Sequence, residues 1–241
     1  MMMLTVKDIA KMIDHSLLRP ELTVDQVKEG CRLAREYDVA TVCVKPSDVD
    51  LAKRELEGSD VMTTTVIGFP HGAHKTEVKV FEAEAAIKDG AVELDMVLNY
   101  GRLLSREFDY VEKDIRAVVE IAHKHHVIVK AILENCYLTD ELKEVACRIS
   151  ENAGADFVKT STGFGSGGAT IDDLKLMRKT CSSNVRIKAA GGIRTLDNAL
   201  AVRSVGTVRF GATATKAILD EAIERTKRGE LKEADLGPSA E

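Results

Sequence analysis

The sequence has no apolar run of membrane-spanning length, no CxxC pair, and no GxGxxG turn after its first strand-like segment. Each absence removes a class. A membrane-spanning helix needs roughly 20 apolar residues in a row, so none is expected. The five cysteines (31, 43, 136, 147, 181) are odd in number and scattered. That pattern fits free buried thiols in a reducing compartment better than a disulfide framework. A dinucleotide-binding doubly wound sheet would carry its glycine fingerprint after the first strand. Basic charge is not in excess: 34 Lys and Arg stand against 39 Asp and Glu, a net charge of −5. A nucleic-acid-binding face is basic. The opening MMMLTVKDIA holds Lys7 and Asp8 and no signal-type hydrophobic region. The expectation is a cytoplasmic protein with neither nucleic-acid nor membrane partners.

What is present is a soluble, globular composition, 44% apolar and 30% charged. The 241 residues suffice for one large core or two small ones. After an opening helix, β-branched apolar runs alternate with amphipathic segments. Strands are expected at 12–18, 39–45, 62–68, 92–99, 127–134, 157–162, 185–192 and 207–212. Helices are expected at 23–37, 47–58, 74–90, 106–126, 139–154, 171–181, 195–206 and 213–229, two of them closed by Gly58 and Gly90. Strands that alternate with helices pair in parallel through right-handed crossovers. Eight such units fit an α/β fold, a single (β/α)8 TIM barrel with an extra N-terminal helix, whose usual size is about 250 residues. An open doubly wound sheet is the alternative. No linker divides the chain, so residues 1–241 read as one domain with a frayed tail over 230–241.

In such a barrel the reactive groups come from the C-terminal ends of strands and the loops beyond them. Three strands carry a charge there: Asp95 in VELDMVLN, Lys159 in DFVKTST and Lys188 in VRIKAAGG. Alternation puts Lys159 on the face of Phe157, and Lys188 on that of Arg186. One charge near a strand end is ordinarily a solvated or ion-paired edge group. Three on three barrel strands are harder to retain idly, because an unpaired buried ion costs several kcal/mol. Pairing of Asp95 with one lysine still leaves the second unexplained. Two ammonium groups in one dry pocket repel, and burial also disfavours charge. Both effects lower a lysine pKa from about 10.4. An uncharged lysine attacks a carbonyl to form a Schiff base, and a nearby carboxylate can move the protons. The set suggests a class I aldolase and is compatible with other imine chemistry. The glycine-rich turns STGFGSGG, AAGGIRT and FGATATK follow strands six, seven and eight. They are either tight turns or a phosphate cradle of backbone N–H groups.

His71 and His74, and His123, His125 and His126, invite a metal reading. The second trio lies at a helix C-terminus, where the dipole favours His, and no accompanying carboxylate ligands are visible. No metal site is assigned. Cys43 could face the pocket or be an inert buried thiol. Lys130 and Glu134 share a parity on strand five, either as an inward polar pair or as an edge pair.

From IDHSLL to RFGATAT the chain resembles the class I deoxyribose-phosphate aldolases. The blocks that carry the resemblance are VCVKP, TTVIGFPHG, EVKVFEAEAAIKDGAVELDMVLN, VKAILE, GADFVKTSTGF, IKAAGGIRT and RFGAT. The resemblance implies that Lys159 forms the Schiff base, that Lys188 perturbs it and assists proton transfer, and that Asp95 belongs to the proton relay. It implies phosphate contacts, largely backbone, at Gly163, Phe164, Gly191, Gly192, Thr213 and Ala214. Asp14, Cys43 and Thr162 fall at pocket-lining positions. Some relatives have lysine where this chain has Phe164, some end in a tyrosine where this chain has Glu241, and relatives often have Thr and Gly at the positions of Asn135 and Cys136. The implied activity is reversible cleavage of 2-deoxy-D-ribose 5-phosphate to acetaldehyde and D-glyceraldehyde 3-phosphate, with no cofactor, by a homo-oligomer (dimer or tetramer). The alternatives are another lysine-dependent sugar-phosphate aldolase or a transaldolase, and a non-catalytic sugar-phosphate binding barrel.

Overall fold

The computed structural model describes residues 3–234. Its strands are β1 (Ile13–Leu17), β2 (Thr41–Val44), β3 (Met62–Ile67), β4 (Glu93–Val97), β5 (Ile128–Ile132), β6 (Phe157–Lys159), β7 (Arg186–Ala189) and β8 (Arg209–Ala212). Each pairs in parallel with the next, and β8 closes on β1 through Asp14 beside Gly211. The sheet is therefore a closed (β/α)8 barrel, with no open edge.

The helices are α1 (Val6–Ala10), α2 (Val24–Glu36), α3 (Val49–Glu55), α4 (Thr76–Asp89), α5 (Tyr100–Leu104), α6 (Phe108–Lys124), α7 (Asp140–Asn152), α8 (Ile171–Thr180), α9 (Leu196–Ser204) and α10 (Thr215–Lys227). Threonines set many of their starts. Thr5 and Thr23 form reciprocal capping boxes, and Thr139, Thr170 and Thr195 each accept an N–H of the first turn. The helix expected over 47–58 is split. Pro46–Asp48 form a 3-10 turn and α3 begins at Val49, because proline fixes the first turn and its missing N–H is tolerated only there. α5 and a 3-10 turn at Asn135–Tyr137 were not expected from the sequence. Among the described residues no helix is long and apolar enough to cross a membrane.

Outward strand residues pack beneath the helices. Leu17 meets α2 at Gly30, where an added Cβ would lie 2.5 Å from a leucine methyl. Glycine at that position lets helix and strand approach. The frayed tail expected over 230–241 is corrected at its start. Leu231 is fully buried, its carbonyl accepts the N–H of Leu4, and Lys232 bridges Met3 antiparallel. One buried leucine and a two-residue bridge dock this segment against the chain's beginning. Residues 235–241 lie outside the described residues, as does the expected difference at Glu241. All five cysteines are free, and Cys136, expected to be buried, is exposed.

The inward face differs from the usual branched apolar filling of this fold. Asp14, Thr41, Thr64, Glu93, Asp95, Lys130, Lys159, Lys188 and Arg209 contact one another across the barrel through hydrogen bonds and ion pairs. Phe157, almost fully buried, lies below them with the Arg186 guanidinium 4.0 Å from its ring centroid. Polar filling on the inside and apolar packing on the outside is what leaves the barrel free to hold a reactive centre.

On the outward side, His15 is 4% exposed and its Nδ1 lies 2.8 Å from Thr215 Oγ1 on α10. Burial pushes its pKa down to about 4. An unfolded histidine titrates near 6.5, so on acidification the unfolded chain takes up the proton first. The neutral imidazole therefore contributes stability above pH about 6.5, and that contribution is lost as pH falls toward 4. The expected size is up to about 3 kcal/mol. Urea unfolding of the protein and of His15→Gln between pH about 7.5 and 4 should show a steeper acid loss for the unmodified chain. Parallel curves would remove His15 from the account.

Candidate active site

Lys159 is the last residue of β6, and the ladder sets it beside Lys188 of β7. The strands thus bring both lysines to one level by register alone. Asp95, in the middle of β4, lies across from them. Its Oδ2 accepts from Lys159 Nζ at 2.7 Å and from Lys188 Nζ at 2.6 Å, while Oδ1 accepts from Lys130 Nζ at 2.7 Å. Lys130 also reaches Glu93 Oε2 at 2.5 Å. Lys188 also donates to Asp14 Oδ2. Arg209 joins Asp14 Oδ1 at 2.7 Å to Glu93 Oε2 at 3.1 Å. Thr41 and Thr64 hydroxyls donate to Asp14 and Glu93. The cluster holds four cationic side chains and three carboxylates, all buried.

Four against three leaves one positive charge too many, and the geometry selects where it is relieved. Arg209 does not deprotonate. Lys188 has Asp14 and Asp95, and Lys130 has Asp95 and Glu93. Lys159 has only one carboxylate oxygen, and shares it with Lys188. Burial is the largest influence on Lys159, and with the Lys188 charge beside it outweighs the pull of Asp95, so its pKa falls below the ordinary lysine value. Burial works against the Lys188 ammonium too, but Asp14 and Asp95 outweigh it and hold its pKa above the usual range. Lys130 is likewise raised, by Asp95 and Glu93 against burial. Burial opposes ionisation of Asp95, and the three lysines, Lys130 first, overcome it and hold the carboxyl well below the usual range. The mutual lowering of two lysines that the sequence suggests therefore acts on one of them. Lys188 stays a firm cation, because Asp14 backs it.

Above Lys159 a cavity of about 290 Å³ opens at the C-terminal end of the barrel. Lys159, Lys188, Asp14 and Cys43 line it, whereas Asp95 lies beneath the lysines and does not. Burial, then the Asp95 charge, pushes the Cys43 thiol up to about 12, so it remains a neutral thiol. Thr162, Gly163 and Phe164 form one wall, Gly191 and Gly192 another, and Thr213 a third. Ala214 does not line the cavity but precedes the first turn of α10. Gly163, Gly191, Gly192 and Thr213 have N–H groups without a hydrogen-bond partner among the described residues. The Phe164 N–H is given to Thr162 Oγ1 at 3.0 Å. Its ring meets Phe69 edge-on, with centroids 5.3 Å apart.

Two details shape these walls. Gly191 has φ +81, and a Cβ there would lie 2.8 Å from the Gly168 Cα. Two glycines let the loops after β6 and β7 touch, joined by the Ala169 N–H to the Ala190 and Gly191 carbonyls. The helix starts also differ. α8 and α9 are capped by threonine and carry Asp172, Asp173 and Asp197 in their first turns. α10 has neither a side-chain cap nor an acidic residue in its first turn. Its N-terminal N–H groups and dipole are the ones left for an anion.

Lys130 and Glu134 do not pair. Lys130 enters the charge cluster, whereas Glu134, at φ 55, turns away and accepts from the Thr162 N–H and hydroxyl. Sequence reasoning missed Glu93 and Arg209, although Glu93 shares Asp95's face two residues earlier. It also missed Arg19 and Arg194, exposed guanidinium groups on the cavity lining. Of the histidines, His71 and His74 are exposed in the loop after β3, and His123 lies 3.0 Å from Asp156 Oδ2 near the end of α6. Among the described residues no group of three His, Cys, Asp or Glu is placed to hold a metal ion.

The model of the DeoC/LacD family of aldolases matches residues 8–220. The deoxyribose-phosphate aldolase of Caldanaerobacter subterraneus subsp. tengcongensis is 53% identical over 218 residues, 90% of this chain and 94% of the relative. That of Clostridium perfringens is 50% identical over 217 residues, 90% of this chain and 96% of the relative. The tetrameric deoxyribose phosphate aldolase of Aeropyrum pernix superimposes with a TM-score of 0.84 at 30% identity, covering 92% of each chain. A lone under-compensated lysine at the mouth of a closed parallel barrel, and matches that span nine-tenths of the sequence, lead to one conclusion: the chain belongs to the DeoC/LacD family of aldolases.

Proposed function

We propose that the protein is a class I deoxyribose-phosphate aldolase, which reversibly cleaves 2-deoxy-D-ribose 5-phosphate to acetaldehyde and D-glyceraldehyde 3-phosphate. The observation that carries this reading is Lys159, a buried amine with a lowered pKa at the floor of a cavity whose far walls offer free N–H groups. The named relatives support the choice of substrate.

The neutral Lys159 amine attacks C1 of the open-chain sugar, and loss of water from the carbinolamine gives an iminium. Removal of the C3 hydroxyl proton lets the C2–C3 bond break, with its electrons entering the iminium to form an enamine. Glyceraldehyde 3-phosphate leaves. The enamine takes a proton at C2, and hydrolysis of the resulting imine frees acetaldehyde and the lysine. Lys188, held charged on the cavity floor, is the proton donor of this reading. Asp95 lies below and reaches the substrate only through the lysines or water, so it relays protons along that route by taking one up transiently, and the lysines around it return it to the carboxylate. The phosphate rests on the N–H groups of Gly191, Gly192, Gly163 and Thr213 and at the start of α10. Arg194 adds positive charge at the rim, and Arg19, also on the lining, is ion-paired with Glu21.

Borohydride reduction in the presence of substrate should add a covalent fragment at Lys159, read by intact mass and peptide mapping. A sugar-phosphate binding barrel would gain none. Lys159→Met should lose turnover by on the order of 10⁴-fold or more while still folding, and acetaldehyde as donor separates this activity from other imine-forming aldolases. A variant that keeps turnover would end the proposal.

The phosphate reading has its own test. Gly191→Ala forces a Cβ against Gly168 at a backbone angle that alanine avoids. KM for the phosphorylated sugar should rise about tenfold, equivalent to about 1.4 kcal/mol, while kcat/KM for unphosphorylated 2-deoxyribose should change little. Equal losses on both substrates would count against a phosphate site there.

The reading also includes a cytoplasmic homo-oligomer, dimer or tetramer. The tetrameric relative supports it, as do Val78 and Phe81, exposed one turn apart on α4. Sedimentation velocity should give a dimer or tetramer mass at micromolar concentration, and a monomer would overturn this part.

A further inference from the structure

Arg209 and Glu93 touch neither the cavity nor Lys159, yet they are built into the charge cluster below it. We propose that they are positioning residues that decide which amine of the cluster is left uncharged: Arg209 by adding a cation that cannot give up its proton, and Glu93 by limiting the resulting excess. The inference rests on Lys159 being the nucleophile.

Arg209 takes Asp14 Oδ1, so only Oδ2 serves Lys188. It also binds both oxygens of Glu93, at 3.1 and 3.3 Å, and shares Oε2 with Lys130. Lys188 and Lys130 are thereby thrown onto Asp95 for their remaining compensation, and between them they occupy both its oxygens. Lys159 is left with a shared one. The Phe157 ring has its centroid 5.9 Å from the Arg209 guanidinium, 5.8 Å from Lys130 Nζ and 4.0 Å from the Arg186 guanidinium. It covers the tier from below and keeps water from compensating the excess charge.

The groups around Lys159 are Asp95 on β4, Lys130 on β5, Lys188 on β7, Asp14 on β1 and the Cys43 thiol on β2, while β3 presents Thr64 and Val66. Glu93 and Arg209 stand behind them. Removing the Arg209 charge would leave three cations with three carboxylates. Asp14 and Glu93 would then serve Lys188 and Lys130 fully, and Asp95 would be freed for Lys159, whose ammonium form gains. Removing the Glu93 charge does the reverse. Lys130 would lean harder on Asp95, and Lys159 would lose its share.

Lysine reacts only as the free amine, so its activity falls on the acid side of its pKa. A stabilised ammonium moves that acid limb to higher pH, and a destabilised one moves it to lower pH. The experiment follows the rate of acetaldehyde adduct formation at Lys159 under cyanoborohydride, by peptide mass, from pH about 5 to 9. Arg209→Met should move the limb up by about one pH unit and Glu93→Gln down by a similar amount. The double variant should return near the starting position. Arg209→Lys, a cation that can itself release the excess proton, should move the limb in the same direction as Arg209→Met and by less. Should Arg209→Met fail to fold, Glu93→Gln and Arg209→Lys decide the matter by the same signs. Limbs that stay put, or that move in the same direction for the Arg209 and Glu93 variants, overturn the tuning role while the adduct leaves the Lys159 nucleophile standing. Absence of any adduct at Lys159 in the unmodified protein overturns both.

Discussion

One carboxylate serves three ammonium groups, and the chemistry depends on that shortage. Asp95 has two oxygens, and Lys130, Lys159 and Lys188 all donate to them. In water such crowding would cost little, because the ions would be solvated. Inside a closed barrel each unpaired ion costs several kcal/mol, so the proposed mechanism has the cluster lower its charge by releasing a proton. Asp14 and Glu93 decide that the proton does not come from Lys188 or Lys130. In the proposed mechanism the nucleophile is obtained by under-supplying one lysine, rather than by placing a strong base beside it.

The fold makes this shortage possible in two ways. Closure removes the sheet edge through which water would reach the inward face. Parallel register fixes heights, so that Lys159 pairs with Lys188 and Asp95 with Lys130 without any loop having to order them. The rigid strands hold the charges, and the loops line the cavity above them. Gly168 and Gly191 permit the contact between the β6 and β7 loops, and Glu134 pins Thr162, so the walls above the lysine are also tied to the strand ends.

Most of this arrangement is legible in the sequence. The alternation of period-two and period-3.6 patterns locates all eight strands, because each is a short apolar run with little competing signal. Asp95, Lys159 and Lys188 stand out because a charge within such a run is anomalous. Glu93 and Arg209 escaped for the opposite reason. Each sits at the first position of its strand, where a charge is ordinary. Their meaning comes from barrel closure, which sets Arg209 against partners 195 and 116 positions away in the chain. The docked residue Leu231 is similar. A lone leucine among charged neighbours has no periodicity to announce it, and only the bridge between Met3 and Lys232 gives it a place. Lys130 and Glu134 share a parity that suggests a pair, but the left-handed backbone at Glu134 breaks the alternation just past the strand.

The charge count also explains how an anionic substrate would be gripped. A phosphate beside the cluster would add negative charge next to Lys159 and favour its ammonium form. The features suited to phosphate lie elsewhere. They are backbone N–H groups of the loops after β6, β7 and β8, with the uncapped start of α10, and they carry dipoles rather than titratable charge. The two guanidinium groups on the lining, Arg19 and Arg194, are exposed at the rim, where water and salt screen them from the interior within about 10 Å. Attraction at the mouth and deprotonation at the floor can then be set independently. A chain with a lysine in place of Phe164 would gain grip by adding a cation to the wall. This one has at that position a neutral ring packed against Phe69, which adds no charge to the wall and leaves the balance below undisturbed.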